Sequence, residues 1–185
     1  AKEVWSHSAA VMQLIKVPGN VVKRFVPPGC ATALNVKVRL AAQAREEGRI
    51  GFLGNWAARK KRAMAGIFND SLAVESNVWD SVGLKAFLEQ FPIQLNLHAA
   101  WNDIRALESP RMAMLLTNSA CILSGRRHSM DEEAWKDTIQ FLGSTRMKRA
   151  WAHLQNNASA IRSCQEHARS VFCSRFAPAR ILRDA

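Results

Sequence analysis

The sequence predicts a mainly α protein: an antiparallel helical bundle or stacked helical hairpins, preceded by a basic, largely extended arm and followed by a short tail. Three observations carry that expectation. From residue 76 onward, apolar residues recur at helical spacing in segments of similar length. Those segments are punctuated by cap and stop signals, Ser109-Pro110, Gly125, Ser129-Met-Asp-Glu132 and Gly143. The first 62 residues, by contrast, are broken by Val17-Pro-Gly-Asn20 and Val26-Pro-Pro-Gly29.

Taken in order, the arm has room for one short helix between Val4 and Lys16. Leu34, Val36, Val38 and Leu40 alternate with Asn35, Lys37 and Arg39, which suits a strand. The Ala41 to Glu47 stretch and its Gly48 stop favour a helix from Ala31 to Glu47 instead. Asn55 is placed to cap a short helix carrying Trp56 and the run Arg59-Lys60-Lys61-Arg62. Leu84, Phe87, Leu88 and Phe91 make one face of a helix over Ser76 to Phe91, ended by Pro92. Leu97, Trp101, Ile104 and Leu107 do the same for Ile93 to Glu108. Ser109 and Pro110 then open a helix closed by Gly125. Ser129 to Glu132 form a capping box for the next, ending near Gly143. Met147, Trp151, Leu154, Ala158 and Ile161 stripe a last helix from Thr145 to about Phe172. The expected organisation is an arm over 1–70, a helical domain over 76–176 and a tail over 177–185. Trp101, Trp135 and Trp151 belong to the core, whereas Trp5 and Trp56 face a partner.

Charge is sorted along the chain. Residues 1–62 hold 12 Lys+Arg against 3 Asp+Glu, residues 63–145 hold 6 against 10, and residues 146–185 hold 8 against 2. Basic ends around a non-basic centre suit a protein that grips a polyanion, and 17 of the 26 cations are Arg, whose planar fork matches phosphate. The expected RNA contacts are Lys23, Arg24, Lys37, Arg39, Trp56, Arg59, Lys60, Lys61, Arg62, Arg146, Lys148 and Arg149. Trp56 would stack while its neighbours neutralise phosphates.

Other chemistry is thinly marked. Gly48-x2-Gly51-x2-Gly54 lacks the lysine and spacing of a phosphate loop and reads as a flexible turn. Cys164-x2-His167-x5-Cys173 is short of ligands for zinc, so no metal and no cofactor is expected. Asp131, Glu132, Glu133 and Asp137 read as capping and solvation. No nucleophile context is recognisable, which argues against an enzyme. Four scattered cysteines point to thiols in a reducing compartment. No apolar run reaches the roughly 20 residues of a membrane span. The acid-poor stretch from Val4 to Arg45 suits a protein imported into an organelle.

Together these features lead to a non-catalytic structural subunit of a ribonucleoprotein, such as a mitochondrial ribosome, bound to structured rRNA and neighbouring subunits. The alternatives are an accessory helical subunit of an organellar membrane complex and a nucleic-acid packaging protein.

Overall fold

The computed structural model describes residues 3–40, 49–54, 68, 71–76, 78, 80–97 and 106–184. Its centre is a sheet, which overturns the expected helical bundle. Five parallel strands, β3 (Ile50–Leu53), β4 (Leu72–Glu75), β5 (Ile93–Asn96), β6 (Cys121–Gly125) and β7 (Gln140–Leu142), lie in the order β4-β3-β5-β6-β7. A separate parallel pair, β1 (Glu3–Ser6) with β2 (Val22–Phe25), brackets α1 (Ala9–Leu14). The remaining described helices are α2 (Ser81–Gln90), α3 (Ser109–Thr117), α4 (Ser129–Ala134), α5 (Ser144–Leu154), α6 (Ala158–Arg175) and α7 (Pro178–Asp184).

The strands follow from burial. Ile50-Gly-Phe-Leu53, Ile93-Gln-Leu-Asn96 and Cys121-Ile-Leu-Ser124 are buried throughout, as inner strands of a parallel sheet must be when helices cover both faces. The edge strands β4 and β7 are only partly buried. Alternate residues point to opposite sides and build two cores. Leu53 and Ile122 join Leu84, Leu88, Met112, Leu116, Trp135 and Phe172 on one side. Ile50, Phe52, Ile93, Leu95 and Leu123 join Met147, Trp151 and Leu154 on the other.

Several expected elements give way to this arrangement. The helix expected over Ile93 to Glu108 starts as β5, because four buried residues pair with β6 and β3. The helix expected from Ser109 to Gly125 stops at Thr117; Ser119 takes φ 59° and the apolar run that follows becomes β6. The Ser129 helix ends at Ala134, and Gln140–Leu142 forms the edge strand. Its cap is His128, whose ring accepts from the Met130 amide, while Glu132 accepts from the Arg127 amide at 2.6 Å. Gly51 lies inside β3 rather than in a turn; a Cβ there would overlap the Gln94 amide and the Phe91 side chain.

The segment expected as the Ala31 to Glu47 helix has one 3-10 turn, Thr32–Leu34, and no regular structure over 35–40; residues 41–48 lie outside the described residues. Val36 and Val38 pack on the first core, so the alternation recorded real in-and-out burial without a pairing partner. Asn118 fastens this segment: its Oδ1 accepts from the Val36 amide at 2.7 Å and its Nδ2 donates to the Leu34 carbonyl at 3.0 Å.

The cysteines are not free thiols. Cys30 is bonded to Cys173 and Cys121 to Cys164, across sequence separations of 143 and 43 residues. Both bridges end on α6, where Cys173 lies nine helical positions after Cys164. At about 100° per residue that spacing turns the two sulfurs to opposite sides of the helix. One therefore ties α6 to the sheet and the other ties it to the N-terminal segment.

Candidate functional site

Strand order places the candidate site. β3 and β5 are neighbours, but the chain leaves β3 toward β4 on one side and leaves β5 toward β6 on the other. The strand order reverses between them, and in doubly wound α/β sheets the crevice outside the carboxyl ends at such a point is where ligands are held. The residues at those ends are Leu53, Gly54, Asn96 and Leu97.

This location is polar although buried. Asn96 and Ser124 are both wholly buried and joined by a hydrogen bond from Asn96 Nδ2 to Ser124 Oγ at 3.0 Å. Arg111, in the first turns of α3, reaches across the crevice. Its Nη1 donates to the Leu53 carbonyl at 2.6 Å and its Nη2 to Asn96 Oδ1 at 2.5 Å. Nη2 also pairs with Glu108 Oε2 at 2.8 Å, and the guanidinium lies 5.2 Å from the centre of the Phe52 ring. Arg127, 7% exposed, donates to the Asn96 carbonyl at 3.3 Å. Two guanidinium groups thus converge on the end of β5, one from each side.

Gly54 completes the rim. Its φ of 138° is a conformation open to glycine alone, and a Cβ there would sit 3.0 Å from Arg111 Nη1. Its amide donates to the Glu75 carbonyl at 2.8 Å, closing the end of β3 onto β4. Glu108 precedes α3 and makes no capping bond to its amides. Its side chain, about one-third exposed, holds Arg111. The arrangement supplies fixed positive charge, a buried amide and hydroxyl, and one accessible carboxylate able to accept hydroxyl donors.

Asp131 has a different position from the one expected. It is wholly buried, and its carboxylate accepts from Ser8 Oγ at 3.0 and 3.2 Å, from the Ala10 amide at 3.2 Å and from the Leu107 amide at 2.8 Å. Glu132 pairs with Arg126 at 2.7 Å and Glu133 with Lys136 at 2.5 Å.

The expected RNA contacts are spread over three places. Lys23 and Arg24 lie on β2, where Arg24 pairs with Glu3 at 3.1 Å. The Trp5 indole N–H and then the Arg24 guanidinium hold the Glu3 carboxyl below its ordinary value. Arg39 pairs with Glu89 at 3.2 Å and pulls that carboxyl down, while Lys37 is exposed at φ 53°. Arg146, Lys148 and Arg149 are exposed on α5. Trp56, Arg59, Lys60, Lys61 and Arg62 lie outside the described residues. Of the tryptophans expected in the core, Trp135 and Trp151 are buried there and Trp101 is outside the described residues; Trp5 is 57% exposed.

A concavity of about 540 Å³ opens at the amino ends of β6 and β7, with Asp137, His153, Ser163, Cys164 and His167 on its walls. Cys164 and Cys173 belong to different disulfides, so their spacing with His167 is no zinc set. Among the described residues no three His, Cys, Asp or Glu side chains converge as a metal site. None of the described helices is long and apolar enough to cross a membrane.

No protein-family model matches the chain, and no curated protein matches it at a significant level.

Proposed function

We propose that this chain binds a phosphate-bearing small molecule of nucleotide type in the crevice between β3 and β5. The observation that carries the reading is Arg111, fixed at the carboxyl ends of both strands at the point where the strand order reverses. Fold analogy supplies the location. The residues supply the chemistry: Arg111 and Arg127 favour an anion, Gly54 allows backbone to approach it closely, and Glu108 accepts from sugar hydroxyls. Calorimetry against ADP, GDP, UDP, CDP and pyrophosphate tests this. Saturable binding that Arg111→Ala weakens at least tenfold supports it, and no binding by any of the five at millimolar concentration removes it.

A second reading keeps the polyanion partner: a structural, RNA-binding subunit of a ribonucleoprotein, of the organellar ribosome kind. Its support is the acid-poor surface of α5 and α6, where Arg146, Lys148, Arg149 and Arg169 are exposed and Glu166 is the only acid. RNA affinity falling by orders of magnitude between about 50 and 200 mM salt is what this reading requires. A flat salt response contradicts it.

A further inference from the structure

We infer that Asp131 is a positioning residue that couples the N-terminal β1-α1-β2 unit to the rim of the crevice; its bearing on ligand binding rests on the function proposed above. The carboxylate is wholly buried and its two oxygens divide their work. Oδ1 accepts from Ser8 Oγ and the Ala10 amide, both at the start of α1. Oδ2 accepts from Ser8 Oγ and from the Leu107 amide. Ser8 also caps α1, its Oγ accepting from the Val11 amide at 3.1 Å.

Leu107 is one residue from Glu108, which pairs with Arg111, which in turn holds Asn96 and Leu53. The Leu107 carbonyl accepts from the Ser109 amide at 2.9 Å and from Ser109 Oγ, so this short segment is rigid on both sides of its peptide. A displacement of α1 therefore moves the carboxylate, and the carboxylate moves the backbone that sets Glu108. The donors to a buried carboxylate have no water to fall back on, so the Ser8 hydroxyl and the Ala10 and Leu107 amides form one network and shift together. Among the described residues the helix of the N-terminal unit packs mainly on α4, which carries Asp131.

The substitutions separate coupling from general loosening. Ser8→Ala removes one donor and the α1 cap, both on the α1 side, and touches nothing at the crevice. Asp131→Asn replaces one oxygen by a donor, so it serves either the α1 side or Leu107 but not both. Leu14→Ala, at a half-exposed position on the same unit, is the control. Amide hydrogen exchange is read at Leu107, and the Arg111 Nε–H resonance by NMR, in the full chain without ligand. Ser8→Ala and Asp131→Asn are expected to speed exchange at Leu107 by on the order of tenfold and to shift the Arg111 signal. Leu14→Ala should leave both at the wild-type values. Unchanged Leu107 and Arg111 signals in Ser8→Ala and Asp131→Asn overturn the coupling, as does an equal change in Leu14→Ala. Calorimetry with the tightest of the five probes named above is the second arm, with an expected affinity loss of several-fold in Ser8→Ala. If none of those probes binds, the nucleotide reading fails while the exchange result still decides the coupling.

Discussion

Arg111 and Asn96 are joined across the crevice, Nη2 to Oδ1 at 2.5 Å, so a helix that follows β5 reaches back to grip the end of β5 itself. The same guanidinium holds the Leu53 carbonyl and so ties β3 to β5 where their connections part. Arg111→Ala leaves that carbonyl and the Asn96 amide oxygen short of a donor in a half-buried setting. A loss of about 1–3 kcal/mol is expected by urea denaturation. Arg111→Lys should recover little of it, since an ammonium cannot reproduce the planar fork.

Reduction should separate the two disulfides by their effect on stability. Cys30–Cys173 closes the longer loop, 143 residues against 43. Loop-closure entropy puts its contribution about 1 kcal/mol above that of Cys121–Cys164. Paired Cys→Ser variants compared by denaturant midpoint check the order, and peptide mapping without reductant checks the pairing.

Gly51→Ala is expected to destabilise by about 1–3 kcal/mol, because the added methyl would overlap the buried Gln94 and Phe91 side chains. The midpoint of thermal unfolding reads this directly. Gly54→Ala should also destabilise, for a backbone reason instead.

Asp80 caps α2, accepting from the Gly83 amide at 2.8 Å and the Val82 amide at 3.0 Å. The Gly83 bond leads in holding its carboxyl below the ordinary 3.8. A depressed native pKa contributes stability that is fully present above the unfolded value and is lost as pH falls through the native one. The melting temperatures of wild type and Asp80→Asn should therefore keep a constant gap from pH 7 down to about pH 5 and converge in more acid solution.

The sequence made some of this visible and hid the rest for a physical reason. The faces of α2 and α5 were legible, since Leu84, Phe87 and Leu88, and then Met147, Trp151 and Leu154, repeat at helical spacing and are buried as expected. The sheet was not legible. Its inner strands are only four or five residues long, and Ile93, four positions before Leu97, runs on into the helical spacing of Leu97, Trp101, Ile104 and Leu107. Charge sorting drew attention to exposed cations at the ends, whereas Arg111 and Arg127, the cations at the end of β5, lie in the one block that is net acidic. Asp131 was hidden in the same way, because a capping position accounts for an acid there without any long-range contact. One signal was present: Arg111, directly after Ser109-Pro110, is the one charged residue of α3, and Glu108 stands three positions before it.

The most direct measurement maps where a nucleoside diphosphate binds, using backbone amide shifts of the full chain in an NMR titration. The account predicts saturable changes at Gly54, Asn96, Leu97 and the Glu108 to Arg111 turn, with α5 unmoved. Changes confined to Arg146, Lys148 and Arg149, or no saturable change at Gly54 and Asn96, would contradict a ligand site at the crevice.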